Sequence, residues 1–541
     1  MSLIRSEKFL APCAAVFFTF GHLRQNSYAF FSPEALLFTA ALWVLIWIFF
    51  QLWRWLHIQW MGSALLIVGL ADMAWGVYEK INHAGREIFG GSPLAGWLAS
   101  GTALVFFLTL FYIFRKTAVK VVSIFFLSGA IGAIALNVLW PIPLFESRQA
   151  PANFSRGSDK SNVYFFILDE HAGLESLKSY KKISEELKTR YGSRGFNLYE
   201  KAFTNYKSTL DSIPSILNGK IYSDRQIVLA GNKLIQNKIF DVLAQKGYAV
   251  NVYESTHISF RLHPAVRKVF IYKESSAGYV QGIKLGVAEK FWVLLDAWVS
   301  GTKSVPVKKL YARLFRSGND EFFMTGALPA QRVLEEVRRD SLLYRSGRVF
   351  FVHLLIPHSS YIFTADGSIR SPFTWESSHG GDLKEGDGRV NRPQDRFRKY
   401  RQHIEQIHYL HSQLDLFFDH LNSNHMLDEA TIILMSDHGS RIYLTPPLVA
   451  NEPRLTREDF LDAYNGFLAV KLPKSDSKGV RQNYIPEDPV SSAKIVGEVF
   501  GLTEFVHNGD LDNVYLNGGD AAAPFKAVPI SQALQKTDID Y

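Results

Sequence analysis

Cysteine is almost absent: among 541 residues the only thiol is that of Cys13. No disulfide framework can hold a domain further along the chain, which must rely on core burial and on any bound metal. A basic stripe is missing too. The formal charge of +8 divides evenly, with ten basic and six acidic side chains in residues 1–150 and the remaining +4 spread over the rest. That pattern gives no sign of a nucleic-acid partner; a mildly cationic surface would aid docking to an anionic leaflet, but ordinary solubility is the favoured reading. There is no internal repeat. Charge is missing altogether from residues 95–114 and 121–145, 20 and 25 positions. At 1.5 Å per residue each suffices to cross a hydrocarbon core of about 30 Å.

These two runs are read as membrane spans. Residues 34–53, headed by Glu34, make a third and Met61 to Tyr78, interrupted by Asp72, a fourth. Phe9 to Leu23 is shorter and could be the core of a signal peptide. An uncleaved span is favoured, because His22 to Asn26 offers no small-residue cleavage site. Asp72 is costly inside a span and marks function, an interhelical partner or a place near the interface. Trp43, Trp47, Trp53, Trp55 and Trp60 suit an aromatic belt. With five spans, the inner connections hold Arg5, Lys8, Arg54, Arg115, Lys116 and Lys120, and the outer ones Arg24, Lys80 and Arg86. The bias places everything after about residue 146 outside the cytoplasm, on the far face of the inner membrane. The expected division is a transmembrane helical domain over 1–145, a Pro- and Ser-containing linker over 146–161, and an exported domain over 162–541.

The exported part alternates short apolar runs with helical patterns. Strands are predicted at Val163 to Leu168, Phe196 to Tyr199, Tyr248 to Tyr253, Lys268 to Tyr272, Val349 to Leu355, Ile432 to Met435 and Phe467 to Val470. Helices are predicted over Lys182 to Tyr191, around Ser212 to Leu217, and over Arg396 to Leu421. The last carries Tyr400, His403, Ile407, Leu410, Leu414 and Phe418 on one face. Such alternation implies an α/β fold, a mainly parallel sheet flanked by helices, with its site beyond the carboxyl ends of the strands.

Chemistry-bearing residues fall at those ends. Asp169 and Glu170 follow the first strand, and Asp437-His438-Gly439 follows Ile432 to Ser436. Thr209 is the second residue of the stretch Ser208 to Gly219. Each alone has a plain structural reading, as a helix cap or turn residue. Together, two carboxylates, an imidazole and a hydroxyl are the donors that a divalent cation such as Zn or Mn accepts. A bound cation would lower the pKa of the Thr209 hydroxyl and make it a nucleophile. A helix N-terminus at Thr209 would also favour a phosphate.

The set resembles the sulfatase and alkaline-phosphatase superfamily, and more narrowly its membrane-anchored phosphoethanolamine transferases and lipoteichoic acid synthases. Ser215-Ile216-Leu217-Asn218-Gly219 is similar to the sulfatase stretch whose Gly follows the nucleophile by ten residues, which points to Thr209. Ser436 to Gly439 resembles the second metal motif, and Ile167 to Glu170 stands for the first. His353 to His358 resembles the segment whose His faces the substrate phosphate or sulfate. The likeness spans about residues 160–475.

The resemblance implies one divalent metal, Zn or Mn, held by Asp169, Thr209, Asp437 and His438. Asp169 is preferred to Glu170, although the transferases present Glu as first ligand. Thr209 and His358 are the implied catalytic residues. His353 is either a core imidazole or a further site residue, and His257 and His379 are left unplaced. Two departures matter. No Cys stands at the nucleophile position, so formylglycine-dependent sulfate hydrolysis is not expected, and the disulfides of many phosphoethanolamine transferases are missing.

The expected function is transfer of phosphoethanolamine or phosphoglycerol from a phospholipid donor, through phospho-Thr209, to an envelope glycan or lipid acceptor. A membrane-bound phosphodiesterase or phosphatase, and a catalytically silent lipid-sensing regulator, are the alternatives.

Overall fold

The computed structural model describes residues 7–55, 142–149, 160–222, 228–302, 304–315, 324–378, 389–474, 488–518 and 525–537, with isolated positions between 104 and 135. Its principal helices are α1 (Glu7–Gln25), α2 (Pro33–Trp55), α3 (Lys181–Gly192), α4 (Thr209–Asn218), α5 (Lys238–Gln245), α6 (Val287–Gly301), α7 (Val305–Phe315), α8 (Ala330–Leu343), α9 (Pro393–Ser423), α10 (Arg457–Tyr464) and α11 (Ser492–Phe500). Two compact units divide the chain. Phe145–Ser275 with Met324–Tyr541 form one, and residues up to Leu144 with Ser276–Phe323 form the other.

The larger unit is built on an eight-stranded sheet. Its strands are β1 (Phe145–Gln149), β2 (Val163–Leu168), β3 (Asn197–Leu198), β4 (Ala249–Ser255), β5 (Val266–Tyr272), β6 (Arg348–Leu354), β7 (Thr431–Met435) and β8 (Leu468–Lys471). They lie in the order β1-β5-β4-β6-β2-β7-β8-β3. The five central strands, β5 to β7 in that order, are mutually parallel. Antiparallel strands close both edges.

All six residues of β2 are buried, as a parallel strand covered on both faces requires. Val163, Phe165 and Ile167 meet Ile213 and Ile216 of α4, Phe240 of α5 and Val496 of α11 in one core cluster. On the other face Tyr164 and Phe166 set their rings 5.3 and 5.2 Å from Phe417 of α9. Full burial of each such side chain contributes about 1.5–3 kcal/mol.

The seven strands expected from sequence are all present, within one or two residues at each end. β1 was not expected: Phe145, the last residue of a run read as a span, and the first four residues of the stretch read as linker pair with β5 from Phe145↔Tyr272 to Gln149↔Lys268. Residues 276–323, assigned from sequence to the exported domain, group with the N-terminal helices instead.

In the smaller unit α2 covers the span expected at 34–53, and α1 covers Phe9 to Leu23. Among the described residues, however, no helix is long and apolar enough to cross a membrane. The five-span bundle is therefore not borne out within them. The candidate at Met61 to Tyr78, with most of 95–114 and of 121–145, lies outside the described residues, as do Asp72, Trp60 and His379.

Helix α9 starts with Pro at its first position, where a missing N–H costs nothing. Its predicted apolar face is buried throughout, and His403 is part of it. That ring lies 5.1 Å from Tyr361 and 6.1 Å from Tyr400, and neither nitrogen has a hydrogen-bond partner. Burial, assisted by repulsion from His171, pushes its pKa down to about 3. The unfolded chain takes up a proton here as pH falls through about 6.5, which the folded chain resists until near 3. Stability should therefore be lost on acidification, by roughly 2 kcal/mol from this ring at pH 5. His403→Phe should shrink the difference in Tm between pH 7.5 and pH 5, and an unchanged difference would show the ring to be ionised in the fold.

Candidate active site

The carboxyl ends of the parallel strands gather the site. Asp169 follows β2, Asp437 and His438 follow β7, and His353 is the penultimate residue of β6. Thr209 is the first residue of α4, after the N-cap Ser208. Ser212, one turn on, donates to the Asp437 carbonyl and ties α4 to the end of β7. Tyr272, at the end of β5, fixes the end of β6, donating to the His353 carbonyl at 2.6 Å and accepting from the Leu355 N–H at 3.1 Å.

Four of these side chains converge on Asp169. Its Oδ2 lies 3.5 Å from Thr209 Oγ and 3.2 Å from His353 Nε2, and its Oδ1 lies 3.6 Å from His438 Nε2. His438 Nε2 is 3.3 Å from both Thr209 Oγ and Asp437 Oδ2. Ligand atoms of Asp169, His353 and Asp437 all lie within 4.8 Å of one another. All five residues are buried.

The electrostatics of this cluster fit a bound cation. Burial works to raise the Asp169 carboxyl, yet His358, His353 and His438 hold it below the usual carboxylate range. Asp437 moves the other way, raised by burial and by the charge of Asp169. Two buried carboxylates that push each other's ionisation apart are the arrangement a shared cation relieves. Asp169 Oδ1 and Asp437 Oδ2 accept no hydrogen bond. Buried acceptors without partners are costly, and a divalent ion would satisfy both.

Glu170 is placed differently from its neighbour. Its φ of 62° turns the side chain out of the cluster. One carboxylate oxygen accepts from the Ser359 N–H at 2.9 Å, and the other from Ser378 Oγ at 3.1 Å and from Arg441. Arg441 also has positive φ, 57°. Although burial opposes its charge, Glu170 and Asp169 keep the guanidinium strongly protonated. Its Nη2 donates to His358 Nε2 at 2.9 Å, while His358 Nδ1 donates to the Ser359 carbonyl. The fixed positive charge beside the cluster belongs to Arg441.

Gly439 owes its place to a close approach. A Cβ there would lie 2.5 Å from the Asp462 carbonyl oxygen, on α10. Asp462 is itself held by Arg396 at 2.9 and 3.1 Å. Gly219, at the other end of α4, has φ 61°, and a Cβ would strike Phe505 at 2.3 Å.

Sequence reasoning missed Arg441, Lys207 and the partners of His257. Lys207 stands 5.6 Å over the Tyr443 ring, its pKa lowered to about 8 by burial and by Arg441. His257, just past β4, pairs with Glu274, just past β5, at 3.4 Å. Burial works to lower the His257 pKa, but Glu274, Asp169 and Asp437 raise it. His257 and Glu274 follow separate strands and stand seventeen positions apart, and no spacing signals their meeting.

Fold and site together define an alkaline-phosphatase-like α/β domain of an enzyme superfamily. The family model described as Sulfatase matches residues 163–466, and the chain belongs to that family. No curated protein matches it. Similar solved structures include the periplasmic domain of EptC from Escherichia coli in complex with Zn, 12% identical, covering 72% of this chain and 96% of that one, with a TM-score of 0.41. The periplasmic domain of the phosphoethanolamine transferase EptC from Campylobacter jejuni is 11% identical, covers 66% and 94%, and has a TM-score of 0.37. A phosphonate monoester hydrolase from Silicibacter pomeroyi is 13% identical, covers 63% and 73%, and has a TM-score of 0.37.

Proposed function

We propose that this protein is a metal-dependent phosphotransferase that moves a phosphoethanolamine or phosphoglycerol group from a phospholipid to an envelope glycan or lipid, through phospho-Thr209. The observation that carries this reading is the pair of buried carboxylate oxygens on Asp169 and Asp437 that accept no hydrogen bond, set around the Thr209 hydroxyl. Asp169, Asp437, His438 and Thr209 would hold the cation, with His353 within reach. A bound divalent ion supplies a lowered hydroxyl pKa and neutralises charge on the phosphoryl oxygens.

The chain's own residues supply the rest. Thr209 Oγ attacks phosphorus, the bond to the lipid glycerol oxygen breaks, and diacylglycerol leaves with a proton. The Thr209 proton has Asp169 Oδ2 as its acceptor at 3.5 Å, while His438 Nε2 would be a ligand to the cation. The start of α4 directs backbone N–H groups toward the transferred phosphoryl group. Arg441 and Lys207 offer cationic charge to its oxygens. His358 serves as proton donor to the leaving oxygen, its Nε2 taking up a proton from solvent once the substrate phosphate has drawn Arg441 away from it. An acceptor hydroxyl then attacks phospho-Thr209, and His257, its protonation tuned by Glu274, provides a second acid-base group on the same strand edge. The reading sets the domain on the outer face of the inner membrane, next to its donor.

The experiment is mass spectrometry of the Thr209 peptide after exposure to phosphatidylethanolamine or phosphatidylglycerol. A phosphoethanolamine or phosphoglycerol adduct on Thr209 is expected, and its mass names the donor headgroup. Label from the donor appearing on a glycan marks a transferase, whereas label in free headgroup marks a phosphodiesterase. An unmodified Thr209 with normal function in Thr209→Ala would leave the lipid-sensing regulator as the better reading.

A further inference from the structure

The segment Ser276–Phe323 is inserted in the catalytic unit between β5 and α8, yet it groups with α1 and α2. Named contacts fasten it there. Ser276 Oγ donates to the Asn26 carbonyl at 2.7 Å, and the Ala277 N–H to Asn26 Oδ1 at 3.0 Å. His22 Nε2 meets the Leu294 carbonyl at 3.1 Å. Phe38 of α2 sets its ring 6.1 Å from Phe291 and 6.0 Å from Trp298, both on α6. Asn26 lies in the connection between α1 and α2, so the insert and this connection share one side of any bilayer that holds the two helices. The count of basic residues in the loops put both outside.

Helix α7 follows α6 and leans on it through Tyr311, whose hydroxyl donates to Asp296 Oδ1 at 3.3 Å and whose ring lies 6.1 Å from Trp292. Tyr311 and Ala312 are buried. The opposite face is exposed and two-sided. Leu310 and Leu314, one turn apart, are 59% and 62% exposed, with Phe315 at 53%. Lys309 and Arg313, also one turn apart, are exposed beside them. An apolar edge running along a basic edge is the pattern of a helix lying in a headgroup layer, where cationic side chains meet anionic lipid. The same unit's α2 turns Trp43, Leu45, Trp47, Ile48 and Trp55 outward, a surface suited to hydrocarbon rather than water.

We propose that α7 lies in the outer headgroup layer of an anionic phospholipid bilayer, so that the insert forms a second attachment of the catalytic chain to the membrane surface, next to the α1–α2 connection. The inference rests on the reading of α1 and α2 as bilayer-embedded. Leu310 and Leu314 enter the acyl boundary, and Lys309 and Arg313 contact lipid phosphates.

The test uses the full chain, with Cys13→Ser, in nanodiscs of phosphatidylglycerol and phosphatidylcholine. A bimane fluorophore is attached at Leu314→Cys or, separately, Leu310→Cys. Trp47→Cys reports on α2, and Asp510→Cys provides an exposed control in the larger unit. Both α7 labels should be quenched at least twofold more by headgroup-proximal nitroxide lipid than the Asp510 label, and less by aqueous iodide. Iodide quenching of the α7 labels equal to the control, with the Trp47 label still in lipid, would overturn the inference and leave the embedded helices standing. Aqueous behaviour of all labels would remove both. Shielding of the α7 labels that rises with protein concentration and ignores nitroxide lipid would assign this face to a second copy and also overturn it.

Discussion

Thr209→Ala should lower turnover of a phospholipid donor by roughly four orders of magnitude or more while leaving the cation bound. The hydroxyl contributes one donor to the cluster, whereas Asp169, Asp437, His438 and His353 all persist in the variant. Metal content therefore survives and chemistry does not. Thr209→Ser, which keeps the oxygen, should retain a measurable fraction of activity. Stopped-assay turnover combined with elemental analysis of the same samples separates the two effects. Loss of metal and activity together in Thr209→Ala would make the hydroxyl a structural ligand first and a nucleophile only by inference.

Asp437→Asn carries the second large effect, and its sign depends on metal. In the metal-free protein the substitution removes a buried carboxylate whose pKa is already raised by burial and by the charge of Asp169. The variant should then be as stable as the parent or more so. Adding Zn or Mn at a thousandfold excess over the parent's Kd should stabilise the parent by about 4 kcal/mol. The variant should gain almost none of this, and its activity should fall to the level of Thr209→Ala. Thermal unfolding of both proteins with and without metal checks the prediction. An equal gain in Tm for the variant would place the cation away from Asp437.

The sheet was legible because its central strands are buried on both faces, so Val163 to Leu168 and Ile432 to Met435 stand out as uninterrupted apolar runs. The same burial made their ends easy to find, and Asp169, Asp437 and His438 sit there. Strand β1 gave no such signal. Phe-Glu-Ser-Arg-Gln has neither an apolar run nor alternation, and its order comes from backbone pairing with Val269 to Ile271 and their neighbours.

The regrouping of Ser276–Phe323 was equally hidden, since apolar positions on α6 report that a helix is buried without saying against what. Within the site, sequence separated Asp169 from Glu170 only by alignment, whereas the backbone separates them physically. The φ of 62° at Glu170 sends its carboxylate to Arg441. His353, one of two readings on an apolar strand, stands with its Nε2 3.2 Å from Asp169. Arg441 had no mark in the sequence because its role arises from a left-handed turn after Gly439 and from partners contributed by β2 and by the segment after β6.

Anomalous diffraction at the zinc and manganese edges, from crystals of the metal-loaded full chain, addresses the shared-cation proposal most directly. The expected result is a peak in contact with Asp169, Asp437, His438 and the Thr209 hydroxyl. A cluster that stays metal-free under saturating ion, or a peak held by residues that do not include Thr209, would contradict it.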